Sequence, residues 1–92
     1  MNQYIYPAIF FKDEDKFGAI FPDLDLCAEG KNLTEAYVMA KDMLRIFFNY
    51  VLKYDMDFNL PSTLQKIQEQ AKKDEIVMYI DTIIDPKKIK KA

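Results

Sequence analysis

From Lys16 to Ala36 the chain joins two short apolar runs through Pro22-Asp23 and passes a glycine at position 30. It then places an asparagine, Asn32, three residues ahead of a glutamate, Glu35. No other stretch constrains the fold as strongly, because it commits the backbone to strand, turn, strand and helix without a long connection. Phe17 to Phe21 predicts a strand with Phe17, Ala19 and Phe21 on one face. Pro22 ends it by fixing φ, and Asp23 can accept from nearby backbone N–H groups. A shorter strand is expected around Leu26 to Glu29. Gly30 is read as a turn residue with positive φ, and Asn32 with Glu35 as an N-cap and its reciprocal partner. The helix therefore starts at Leu33.

Ahead of this segment, Tyr4 to Phe11 alternates Tyr4, Tyr6, Ala8 and Phe10 against Ile5, Pro7, Ile9 and Phe11. That pattern predicts a strand apolar on both faces. Pro7 has no N–H for a ladder, which places it at an edge or at a residue free of strand hydrogen bonds. Lys12 to Lys16 is the polar connection of a hairpin.

After it, apolar residues at helical spacing carry the helix to about Tyr54. The apolar arc runs from Ile46 and Met39 through Tyr50 and Phe47 to Tyr37 and Phe48, roughly 200° of the circumference. A helix lying on one sheet needs about half of that, so a second packing surface is expected. Pro61-Ser62 with Gln65 repeats the capping pattern and predicts a short helix from Ser62 to Lys73, with a seam of Leu64, Ile67, Gln68 and Ala71. Glu75 to Ile84 is a β-branched run that reads as a strand deep in the sheet or covered on both sides. The order β-β-β-α-α-β predicts an α+β fold, a mainly antiparallel sheet with the helices on one face.

Ninety-two residues make one domain that buries only about two thirds of its unfolded surface. Seven Phe and six Tyr are a heavy apolar load for so small an interior, and predict a homo-oligomer or a complex. Lys87, Lys88, Lys90 and Lys91 close the chain, which leaves nine cations against fifteen acids in residues 1–85. The domain, residues 1–86, is thus acidic, and residues 87–92 form a lysine-rich tail. An acidic body suits a basic partner better than phosphate. One cysteine excludes an internal disulfide, and neither a leader nor about 18 uninterrupted apolar residues is present, so a soluble cytoplasmic protein is expected, with no membrane partner.

The chain has no histidine, which leaves little material for acid–base or nucleophilic catalysis near neutral pH. The remaining candidates are carboxylates: Asp13, Glu14 and Asp15, then Asp23, Asp25 and Glu29. A two-metal nuclease needs such acids to converge from different strands, whereas turn acids held in water explain all six. No metal or cofactor is expected. Cys27 has no ligand or base at a telling spacing and reads as a small buried side chain. Phe10, Phe11, Phe17 and Phe21 read as core, because single-strand binders pair their aromatics with cationic grooves.

Tyr6-Pro7-Ala8-Ile9-Phe10, Phe21-Pro22-Asp23-Leu24, Cys27, Gly30 and Glu35-Ala36 stand in an order and spacing that resembles the core signature of HicB-type antitoxins. In that signature an aromatic-rich strand enters a Phe-Pro-Asp-Leu-Pro-Gly-Cys segment, and a Gly turn leads to the helix. The resemblance covers residues 4–62. Leu24-Asp25-Leu26-Cys27 departs from it by replacing Leu-Pro-Gly-Cys, and Ala28-Glu29 replaces a small polar pair before Gly30.

The resemblance implies a partial RNase H-like fold and a non-enzymatic protein. Such a protein neutralises a small basic HicA-type mRNA-cleaving toxin by covering its active surface. Many members add a C-terminal DNA-binding motif, and the present sequence has no room for a helix-turn-helix after its last strand, so direct DNA binding by this chain is not expected. Asp23, Asp25 and Glu29 are the candidates to meet toxin cations, with Tyr6 and Phe10 on a strand edge open to addition. Ile46, Met39, Tyr50 and Phe48 are the candidate oligomer face. A stand-alone homo-oligomeric module without a toxin is the alternative.

Overall fold

The computed structural model describes residues 1–91. Its elements are β1 (Asn2–Asp13), β2 (Lys16–Phe21), β3 (Leu26–Gly30), α1 (Leu33–Tyr54), α2 (Leu64–Gln70) and β4 (Ile76–Ile84), followed by a 3-10 turn at Pro86–Lys88. The strands form one antiparallel sheet in the order β3-β2-β1-β4.

Two-residue periodicity sorts β1 cleanly. Tyr6, Ala8 and Phe10 join Ala19, Phe21, Ile80 and Ile84 beneath Ala36, Ala40, Leu44, Phe48 and Val51 of α1, and together these make the main core. The helix begins as its capping residues require. Asn32 Oδ1 accepts from Glu35 N–H (2.8 Å), and Glu35 Oε1 accepts from Lys31 N–H (3.2 Å). It ends at Asp55, whose φ of 53° is left-handed, a conformation that aspartate tolerates better than most residues.

The helices do not share a face. Pro7 and Tyr79 are cross-strand partners on the side opposite Tyr6 and Ala8. There the Leu64 N–H at the start of α2 donates to Tyr79 Oη (3.0 Å), and Ile67 is 1% exposed. The chain therefore passes from one face to the other through an extended strap, residues 56–63, that the sequence reading treated as a plain connection. The cap of α2 also differs from expectation: Thr63, not Ser62, accepts from Lys66 N–H (3.2 Å), and the helix stops at Gln70 rather than Lys73.

Further expectations change for steric reasons. β4 lies at the sheet edge, not deep within it; its two apolar faces meet α1 on one side and α2 on part of the other. β1 has β4 on one side from Asn2 to Phe10 and β2 on the other only from Ile9, so the segment from Tyr4 to Phe10 is open on one side as far as Ala8, but Tyr6 and Phe10 themselves are buried. Pro7 is tolerated because β2 joins β1 only from Ile9 onward, and the proline keeps one side without a neighbouring strand. Gly30 has no positive φ; a Cβ there would stand 2.4 Å from the Ala36 backbone nitrogen, so close approach to α1 is what demands glycine. Packing also continues past residue 86, because Ile89 in the lysine-rich tail docks on the core, while Ala92 lies outside the described residues.

Candidate protein-docking surface

The β2–β3 connection is a tight turn with Pro22 in its second position, closed by Leu24 N–H donating to the Phe21 carbonyl (3.2 Å). It presents Asp23 sideways to the strap. Asp23 Oδ2 accepts from Ser62 N–H (2.8 Å) and Oδ1 from the Ser62 hydroxyl (2.6 Å), while Asn59 Nδ2 donates to the Asp23 carbonyl (2.9 Å). Tyr6 completes the latch from below by donating its hydroxyl to the Asn59 carbonyl (2.6 Å). Burial, with the Asp23 charge and Tyr4 nearby, pushes the Tyr6 phenol up to about 12.

Two candidate partner residues thus belong to the interior. Tyr6 and Phe10 are each 1% exposed, because their face of β1 is the one α1 covers. Asp23 is half-buried, and both its carboxylate oxygens are engaged within the chain. Asp25 is exposed, in a left-handed conformation (φ 54°). Glu29 is exposed on β3 with Lys16 Nζ at 3.6 Å, a separation at which a surface pair contributes little.

Beside the latch is a notch of about 280 Å³ lined by Leu24, Phe47 and Phe58 together with Asp23, Asp57 and Asn59. No cation among the described residues pairs with Asp25, Asp55 or Asp57. The notch offers apolar walls beside the carboxylates of Asp23 and Asp57, neither of which pairs with a cation among the described residues. Asp57, Phe58 and Asn59 were invisible to sequence reasoning; they sit in a non-periodic run whose only signal was the polar-aromatic alternation before Pro61.

Of the candidate oligomer face, Met39, Ile46 and Tyr50 are exposed (44%, 51% and 54%), whereas Phe48 is fully buried. Phe48 stacks on Tyr4 with ring centroids 3.9 Å apart, and meets Phe58 edge-on. It lies on the core side of α1. Cys27 is exposed rather than buried: it alternates with Leu26 and Ala28, which pack toward α1, and so points to the far face beside Phe11 and Gly18. On the opposite edge of the sheet, Lys41 Nζ and Gln3 Nε2 donate to Asp81 (3.0 and 3.3 Å), and these bonds hold its carboxyl below the usual range. Among the described residues, no three of His, Cys, Asp and Glu gather as a metal-ligand group, and no helix is long and apolar enough to cross a membrane.

A family model described as "HicB_like antitoxin of bacterial toxin-antitoxin system" matches residues 6–92. The structure resembles the Burkholderia pseudomallei antitoxin HicB (TM-score 0.74, 15% identity), covering 94% of this chain and 65% of that one. It also resembles a chain of a toxin–antitoxin complex from Streptococcus pneumoniae (TM-score 0.74, 17% identity, 97% and 74% covered). A chain of the HicA3 and HicB3 toxin–antitoxin complex is a third neighbour (TM-score 0.66, 17% identity, 83% and 94% covered). The present chain thus spans about two thirds of the Burkholderia antitoxin. No curated protein matches the sequence.

Proposed function

Since this chain belongs to the HicB-like antitoxin family, we propose that it binds a small basic HicA-type mRNA-cleaving toxin and blocks its access to RNA. The supporting observation is the notch between the β2–β3 turn and the strap. Leu24, Phe47 and Phe58 offer apolar surface there, and Asp23 and Asp57 give it an acidic rim with no paired cation among the described residues. Such a rim draws a basic partner by long-range attraction, and the apolar walls hold it at short range. No bond is made or broken in this reading; inhibition is steric, and stoichiometric binding suffices.

Asp25 and Asp57 are the residues to test, because neither bonds to the rest of the described chain. Asp25→Asn with Asp57→Lys reverses the charge of the notch while keeping at position 25 a residue that tolerates its left-handed conformation. Co-expression with a candidate toxin should rescue growth with wild-type protein, and the double variant should bind at least about tenfold more weakly. Unchanged affinity would remove the notch from the interface, and failure of the wild type to bind or rescue would refute the antitoxin role for that pair. Glu29, further along β3, is proposed as an outer contact whose reversal affects association rate and salt dependence more than affinity.

A second reading, a homo-oligomeric module that acts without a toxin, is favoured by one observation: the exposed apolar residues of α1.

A further inference from the structure

The two aromatic walls of the notch are braced by a third ring. Phe47 and Phe58 each meet the buried Phe48 edge to face, with centroids 5.1 and 5.0 Å away and interplanar angles of 83° and 89°. Phe48 is itself stacked on Tyr4. Phe47 and Phe58 therefore stand upright on a closed aromatic floor, and the notch lies against both. Their positions are fixed from different parts of the chain. Phe47 belongs to α1, and Phe58 belongs to the strap that Asn59 ties to Asp23 and Tyr6.

The polar part of the lining accepts hydrogen bonds and carries negative charge. Asn59 Nδ2 is already engaged by the Asp23 carbonyl, which leaves Asn59 Oδ1 and the Asp57 carboxylate without a donor among the described residues. Asp23 adds its charge, although both its oxygens already accept from Ser62. A purely apolar ligand would strip water from these acceptors and return nothing, and an anion would be repelled. A cation gains twice, from the electron-rich rings and from the carboxylates. Guanidinium suits this lining better than ammonium, because it is planar, stacks on aromatic rings, is weakly hydrated and presents a fork of donors to a carboxylate. We infer that the notch, about 280 Å³, is a socket for one arginine side chain of the partner protein. The guanidinium lies against Phe47 and Phe58 with its fork on Asp57, and the alkyl stem follows Leu24. The inference rests on the proposed function for the source of that arginine, but the socket is a property of the free chain.

The test is therefore made on the isolated full chain, labelled with nitrogen-15 and titrated with N-acetyl-arginine methylamide at constant ionic strength. Amide shifts should concentrate at Leu24, Phe47 and residues 57–59, with a dissociation constant of about 10 mM, the weak binding expected of a single side chain. The citrulline analogue keeps the shape and loses the charge, and should bind at least about tenfold more weakly. The lysine analogue should be weaker by about threefold or more. Asp57→Asn should weaken the arginine derivative about fivefold with an unchanged melting temperature, since Asp57 is exposed and makes no bond within the described chain. Phe58→Leu keeps an apolar wall without the ring, and should also favour citrulline and arginine more equally. Arginine binding at the notch in a chain that engages no toxin would uphold the socket and refute the antitoxin role. No localised shifts up to about 100 mM, ten times the expected constant, would overturn the socket even if a toxin binds. So would citrulline or lysine analogues that match arginine.

Discussion

Replacing Asp23 by alanine removes both side-chain acceptors of the strap at once. The carboxylate takes the Ser62 N–H at 2.8 Å and the Ser62 hydroxyl at 2.6 Å, and both bonds are half-buried. Hydrogen bonds to a charged acceptor contribute about 1.5–3 kcal/mol each when fully buried. Partial exposure lets water replace some of this, and the Asn59–Asp23 and Tyr6–Asn59 bonds use backbone carbonyls that survive the substitution. The expected loss is therefore about 2 kcal/mol for Asp23→Ala and about 1 kcal/mol for Ser62→Ala. For a domain of this size 2 kcal/mol corresponds to a fall in Tm of about 8–16 °C. Urea denaturation of wild type, both single variants and the double variant closes the cycle, and the coupling energy should be about 1 kcal/mol because the two sites share one bond pair. Asp23→Asn should fall between wild type and alanine, since its amide keeps one acceptor. Hydrogen exchange should show faster opening at Ser62 and Asn59 with the sheet unaffected. A coupling near zero, or Asp23→Ala within about 0.5 kcal/mol of wild type, would mean that the latch does not hold the strap, and Asp23 would return to the list of groups free to meet a partner.

Gly30→Ala should cost about 2–3 kcal/mol in urea denaturation, because the added Cβ meets the Ala36 and Glu35 backbone, which cannot give way. Gly18→Ala should cost less, since the neighbour at 2.5 Å is the rim of the half-buried Phe11 ring, which can turn aside. Tyr6→Phe should lose about 1 kcal/mol with its bond to the Asn59 carbonyl. It should also change the alkaline limb: the folded phenol ionises near 12 and the unfolded one near 10, so the unfolded chain holds fewer protons between these values. Wild-type stability should thus fall from pH 10 to 12 on account of Tyr6, and this part of the slope should vanish in the variant. Lys41→Ala should raise the Asp81 carboxyl toward its ordinary value in a carbon-detected NMR titration. The depressed folded value means that the Lys41 contribution is present above the unfolded value and is lost as pH falls through the folded one; an unmoved Asp81 would show that Gln3 alone sets it.

Local chemistry made most of the elements legible. The hairpin, the Pro22 turn, the Asn32 cap and the span Leu33–Tyr54 follow from alternation, fixed φ and capping, which involve only near neighbours in the chain. The candidate site was less legible. Asp23 and Tyr6 were singled out as surface groups, whereas the strap from α1 to α2 turns them into parts of one internal hydrogen-bonded latch. Asp57, Phe58 and Asn59 carry no periodic signal, and they become the wall of a notch only because the β2–β3 turn, 34 residues upstream at Asp23, lies against them.

The sequence by itself determined the order of strands and helices, both ends of α1, the acidic character of the body, and an apolar load larger than one small core can hold. Tertiary structure alone decided that α1 and α2 take opposite faces, that β4 stands at the edge, and that Phe48 is buried while Ile46, two residues earlier, is not. The reason is that capping and alternation act over one to four residues, whereas face, edge and exposure depend on contacts between segments that no local pattern encodes.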